Sequence, residues 1–224
     1  MKTLNMNSSN ITNCPRTKEN RAEFGVAAQA ATSIREAFRT ALIHISDKTL
    51  VGRLTAAMLE IVKRDGIHDR GKRKVLAQNM LTLAGFEFNK QKLLESLFSP
   101  EYKISFDRSS GKLNLVVAEF MPVNQLSFPT GATHFQLSML GALINFGQVG
   151  DQSIAKSSES FSLRQGAVPG IDMQLDLQPN STDPLLVVLG IRFMQDLNGR
   201  KYLMQNGSFI AAKLVLVDIA FPNS

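Results

Sequence analysis

The hydrophobic period of this 224-residue chain changes once, at Pro100, and that switch narrows the folds open to it. Ahead of Pro100 apolar residues recur every three or four positions: Val26, Ala30, Ile34, Phe38, Leu42 and Ile45, then Leu50, Leu54, Met58 and Ile61. That spacing places the side chains on one face of a helix. Beyond Pro100 the period is two. Residues 103–107 alternate, Arg108-Ser109-Ser110-Gly111 reads as a turn, and residues 112–117 answer it as the second arm of a hairpin. The pattern predicts an α+β chain, with helices first and antiparallel strands after them.

Local signals punctuate both halves. Asp47 stands where an N-cap belongs before the second helical stripe, and Gly66 follows Lys63-Arg64-Asp65 as a C′ glycine would. A third helix is predicted over 72–83, burying Val75, Leu76, Met80 and Leu83, and a short fourth segment over 91–98. Strands are predicted near 133–146, 171–177, 185–194, 201–205 and 214–221, with Asn198-Gly199 as a hairpin turn. The polar stretch 148–170 reads as one weak strand between long loops. About seven short strands separated by turn residues predict an antiparallel β-sandwich of immunoglobulin-like type. The expected division is a flexible polar arm over 1–15, a basic helical part over 16–100 and the sandwich over 101–224.

Charge follows the same boundary. Residues 1–101 hold 16 Lys and Arg against 10 Asp and Glu, and the remainder is balanced at 9 and 9, so the net charge of +6 belongs to the helical half. A basic surface suits an acidic partner. Two groups carry it. Lys63, Arg64, Arg70, Lys72, Arg73 and Lys74 crowd into residues 63–74, and Arg16, Lys18 and Arg21 surround the aromatic Phe24. The first group would neutralise phosphates, with the salt dependence that entails. No helix-turn-helix, zinc-finger or RNA-recognition signature accompanies it. The second group offers an anchor ringed by cations, the pattern of a protein-partner contact.

Motifs for chemistry are sparse. His44, His68, His134 and Cys14 are scattered, whereas zinc ligands come in close pairs, so no metal site is expected. The bland readings are a helix-end residue for His44 and a solvated loop residue for His68. No Gly-x-Ser-x-Gly elbow occurs. The peptide Pro129-Thr130-Gly131-Ala132-Thr133-His134-Phe135 gathers Thr and His, yet a turn leading into a strand explains the same residues, and nothing nominates a group to orient the histidine. In Gly66-Ile67-His68-Asp69-Arg70-Gly71-Lys72-Arg73 the glycine and lysine spacing is superficially that of a phosphate loop, but Arg73 stands where Ser or Thr would hold magnesium and no strand precedes it. The longest apolar runs, such as 185–191 and 214–220, are far short of the roughly 20 residues that span a bilayer. Residues 1–13 lack the apolar stretch of a secretory signal, and the lone Cys14 allows no internal disulfide, so the cytoplasm is the expected location.

Pro15-Arg16-Thr17-Lys18-Glu19-Asn20-Arg21-Ala22-Glu23-Phe24-Gly25 resembles the opening of a type of uncharacterised Bacteroidetes protein, in which a basic stretch precedes helices and a β-rich half. Gly85-Phe86-Glu87-Phe88-Asn89 and Gly131-Ala132-Thr133-His134-Phe135 are similar to later landmarks of that type. The resemblance implies helices followed by strands, and no activity.

The expectation is therefore a non-enzymatic structural or interaction protein without a cofactor, assembling with itself or a protein partner through Arg16, Lys18, Arg21 and Phe24. The alternative is a nucleic-acid-binding protein using the cluster from Lys63 to Lys74. A hydrolase built around His134 is the weaker alternative.

Overall fold

The computed structural model of the chain describes residues 14–146, 152–164, 166–204 and 209–220. Helices occupy the first part and antiparallel sheets the second, curled into a half-barrel, so the α+β expectation holds. Of the arm expected over 1–15, residues 1–13 lie outside the described residues, and Cys14 and Pro15 already form the start of the first helix.

Helix α1, Pro15–Ala37, begins well before the predicted stripe. Proline at the first helical position loses nothing, because its missing N–H would have no partner there. Ala27, Ala30, Ala31 and Ile34 lie on the buried face, and the three small alanines let α3, Leu50–Lys63, pack closely with Leu54, Met58, Ile61 and Val62. Phe38 interrupts the helical run by turning into the core against Phe88, with ring centroids 6.2 Å apart, and the short α2, Arg39–Leu42, follows. Thr49, not Asp47, occupies the cap position of α3. Asp47 acts one step removed: its Oδ1 accepts the backbone N–H and the hydroxyl of Thr49, and its Oδ2 accepts Arg53 Nη2 and the Lys90 N–H. The helix closes at Arg64, and Gly66 is not left-handed.

The predicted helix over 72–83 is a correction. Only Ala77–Leu83 coils, as a 3-10 helix, because Lys74 gives its N–H to Asp65 and Leu76 is extended. Met80 and Leu83 are buried as expected, while Val75 and Leu76 are half-buried. Helix α4 shrinks to Leu94–Leu97, and a single turn, α5, covers Pro122–Gln125.

Among the described residues nine strands follow: β1 Tyr102–Asp107, β2 Lys112–Val117, β3 His134–Leu143, β4 Gln152–Ser157, β5 Phe161–Ser162, β6 Ile171–Asp176, β7 Leu185–Leu197, β8 Arg200–Leu203 and β9 Ala211–Asp218. The predicted hairpins form in register, Ile104 facing Leu115 and Asp196 facing Lys201. A small sheet runs β1-β2-β6, and a larger one runs β4-β3-β7-β8, with β5 on β3 and β9 on β7. Central β3 and β7 are lined by strands on both sides, and successive side chains enter opposite layers. Phe135, Leu137 and Met139, with Val187, Leu189 and Ile191, meet the small sheet. Leu140 and Ala142, with Leu186 and Val188, meet the helices. Burial on both faces is why residues 185–194 read as a continuous apolar run.

The outer edge of β9 is covered. Gly85 and Phe88 donate N–H groups to Leu214 and Ala212, and Phe86 accepts from Leu214. Arg53 rivets that segment to α3, donating from Nη1 to the Glu87 carbonyl at 2.8 Å. The Glu87 carboxylate accepts the Leu94 N–H and lies 3.9 Å from Lys213 Nζ. Burial pushes its carboxyl up from 4.5 to about 7, against the pull of the Leu94 N–H and Lys213. A raised folded-state value means the fold favours the protonated acid. This contribution is complete below the unfolded value and is lost as pH rises through the folded one. Stability is therefore expected to decline between about pH 5 and 8 on this account, and Glu87→Gln should flatten that decline in urea titrations run across the range. The carboxylates held low, Asp47, Asp65 and Asp107, act with the opposite sign and lose their contribution as pH falls through the acid range. An unchanged slope in Glu87→Gln would assign the decline elsewhere.

Candidate functional site

The loop that follows α3 carries most of the predicted cations, and a single carboxylate shapes it. Asp65 is 1% exposed. Its Oδ1 accepts the backbone N–H groups of Ile67 and His68 at 2.8 and 3.1 Å. Its Oδ2 accepts the Lys74 N–H at 2.9 Å and lies 2.7 Å from His68 Nδ1. Burial alone would raise this carboxyl, but the Lys74, Ile67 and His68 groups outweigh it and hold it well below the usual carboxylate range. His68 is thus a strut of the loop and not the solvated residue expected from sequence.

The closed loop docks on the first turns of α1. Gly71 donates its N–H to Glu23 Oε1 at 2.9 Å, and Arg73 Nη1 stands 3.7 Å from the same oxygen. Arg70 reaches Asn20 Oδ1 at 2.6 Å and Glu19 Oε2 at 3.4 Å. Gly71 has φ +83°, and a Cβ there would come 2.9 Å from Glu19 Cγ, so close approach as well as conformation requires glycine. Residues 15–25, read as a charged segment ahead of the first helix, are therefore helical and packed against this loop. Glu23 is buried among them.

Docking brings the two predicted groups together. Arg21 and Phe24 from α1 line one groove with Lys63 and Arg70, beside Thr17 and Leu59, in a volume of about 630 Å³. Not every predicted cation faces an incoming ligand. Lys63 is paired with Glu60 at 2.8 Å, Arg70 with Glu19, and Arg73 with Glu23. Among the described residues Arg16, Lys18, Arg21, Arg64, Lys72 and Lys74 are exposed and their side chains form no ion pair. Phe24 is 53% exposed on α1, and Ile67, which no period marks, is 73% exposed on the loop. The first turns of α1 and the loop docked on them thus each carry free cations and an exposed apolar side chain. That combination gives long-range attraction for acid groups and short-range apolar anchoring.

The other sequence candidates lie apart from this groove. His134 Nδ1 is 2.9 Å from the Thr133 hydroxyl, which also accepts the Asp196 N–H at 2.7 Å and fixes the start of β3 to β7. Burial and nearby Lys201 push the His134 imidazole down, and no carboxylate hydrogen-bonds its ring among the described residues. His44 follows α2 and borders a separate cleft. Cys14 is exposed ahead of α1. Among the described residues no three His, Cys, Asp or Glu side chains gather as metal ligands do, and no helix is long and apolar enough to cross a membrane. Comparison of the chain with protein-family models, with curated proteins and with solved structures found no match to any of them.

Proposed function

We propose that this protein is a non-enzymatic interaction protein that seats an acidic segment of a protein partner, or of a second copy of itself, in the groove between α1 and the loop after α3. The observation that carries the reading is the convergence of Arg21 and Phe24 with Lys63 and Arg70 on one groove, where Lys63 and Arg70 are paired with Glu60 and Glu19 while Arg21 has no ion pair among the described residues. Phe24 supplies the apolar anchor, and Arg16, Lys18, Lys72 and Lys74 supply the rim. The cluster from Lys63 to Lys74 contains no Phe, Tyr or Trp on which bases would stack, which favours a protein over nucleic acid. A cytoplasmic location belongs to the same proposal and is supported by the lone Cys14. So does the immunoglobulin-like assignment of the sheets, supported by their antiparallel pairing and shared core.

Arg21→Glu and Phe24→Ala change exposed side chains, so both variants should keep the melting temperature of the parent. Sedimentation of the purified protein, and cross-linked capture from nuclease-treated extract, are expected to show assembly reduced about tenfold or more in either variant. Assembly with equal yield in parent and variants would overturn the reading. Filter binding of DNA and RNA at about 50 mM salt separates the nucleic-acid alternative. Retention that falls on reversing Arg64, Lys72 and Lys74 to Glu, and not in Phe24→Ala, would favour it. Arg73 is left out of that reversal because Glu23 holds it and its loss would disturb the loop.

A further inference from the structure

The helices cover only part of the large sheet's outer face, and the uncovered part changes character. Under the helices that face presents Leu140 and Ala142 on β3 and Leu186 and Val188 on β7. Further along the same strands and on the same face stand Ser138 and Gln136, opposite Gly190 and Arg192. Thr40 of α2 and His44 just beyond it border this polar floor and line a cleft of about 130 Å³, which also takes in Ser157 of β4.

Arg192 is built into the floor in a fixed pose. Its Nε and Nη2 both donate to Gln136 Oε1, at 2.9 and 2.5 Å, and Gln136 Nε2 donates in turn to the Ser158 carbonyl at 2.5 Å. Among the described residues no carboxylate pairs with this guanidinium, although it is half-buried. A partly desolvated cation without a counter-ion is unfavourable, and a bound anion relieves it. The neutral amide of Gln136 orients the guanidinium without cancelling its charge, which a carboxylate in that place would do. Space for a ligand comes from Gly190. A Cβ there would stand 2.9 Å from Ser138 Oγ and 3.3 Å from the Ala211 carbonyl, so any other residue would crowd the floor beside Arg192. The hydroxyls of Thr40, Ser138 and Ser157 supply neutral donors around the same space. Leu140 and Ile210 give the cleft an apolar side.

We propose that this cleft binds the oxyanion group, phosphate or carboxylate, of a small organic ligand, with Arg192 as its charge partner and Thr40, His44 and Ser138 as its walls. The site is independent of the groove that holds Phe24 and of the function proposed for that groove.

The test is an amide-resolved NMR titration of the intact protein with inorganic phosphate, phenyl phosphate, benzoate and sodium chloride. Saturable shifts are expected at Ser138, Gly190 and Arg192 with the oxyanions and not with chloride. The phenyl compounds should bind more tightly than inorganic phosphate, and whichever of phenyl phosphate and benzoate is tighter identifies the group preferred. Arg192→Ala should weaken binding about tenfold or more, and Gly190→Ala should block it by filling the floor. His44→Ala, at an exposed position, keeps the test open should either of those variants misfold, and should also weaken binding. Shifts that fail to saturate, that are unchanged in Arg192→Ala and His44→Ala, or that appear only along residues 63–74 would overturn the proposal. Phe24→Ala should bind the same ligands as the parent does.

Discussion

Replacing Asp65 by alanine is expected to lower the melting temperature by roughly 10 °C and to release the basic loop from α1. The side chain is buried, and it satisfies three backbone N–H groups together with the His68 ring. Alanine leaves all of them without an acceptor, and the loop has no regular secondary structure through which to recover them. Amide exchange should then accelerate at Ile67, His68 and Lys74, and at Gly71, whose N–H depends on the loop lying against Glu23. Asp65→Asn separates the contributions. The Asn carbonyl retains the acceptor for Ile67 and His68, while its NH₂ cannot accept from Lys74, so an intermediate loss is expected. Because Arg64, Lys72 and Lys74 sit on this loop, partner capture should weaken in step with its exchange. A variant with parental melting temperature and exchange would show that the carboxylate is incidental to the loop.

The second large effect is expected at Gly111. This residue ends the β1–β2 turn with φ +72°, donates its N–H to Asp107 and accepts the Leu177 N–H, so it joins the hairpin to the end of β6. A Cβ would stand 2.1 Å from the Leu177 carbonyl oxygen, a backbone atom that cannot move without parting the strands. Gly111→Ala should therefore cost about 3–5 kcal/mol, the sum of left-handed strain and a forced backbone shift. Gly199→Ala is the matched control. Gly199 has φ +80° with nothing near its missing Cβ, and it should cost about 1 kcal/mol. Chemical denaturation of the two variants measures the difference, and equal losses would show that contact with Leu177 contributes nothing.

Much of this architecture was legible because its causes are local. The β1–β2 hairpin follows from alternation around Ser109-Ser110-Gly111, and the β7–β8 hairpin from Asn198-Gly199, both of which take positive φ. The stripe of α3 and the apolar run of β7 are likewise written in residue spacing. The start of α1 was not. Residues 16–25 have no apolar stripe, and their helix is held by Glu19 and Glu23 pairing with a loop some fifty residues away. The third helix failed for the same kind of reason, since the Asp65 carboxylate anchors Lys74 to the loop after α3 and the chain stays extended through Leu76, so that coiling starts only at Ala77. Ile67 escaped notice because a lone exposed apolar side chain has no period to betray it.

The sequence by itself determined the order of elements, the place of the switch at Pro100 and the half that carries the charge, since period, turn residues and formal charge are properties of near neighbours. Only the tertiary structure decided which cations remain free. Arg70 and Arg73 look no different from Arg64, Lys72 and Lys74 along the chain, and they differ because folding sets Glu19 and Glu23 beside them, whereas Lys63 pairs with Glu60 three residues away on its own helix. It likewise decided that Arg21 and Phe24 share a groove with Lys63 and Arg70, and that Arg192 faces Gln136 instead of an acid. Charge compensation depends on separations of a few ångströms, and those separations are fixed by packing between segments that the chain itself keeps far apart.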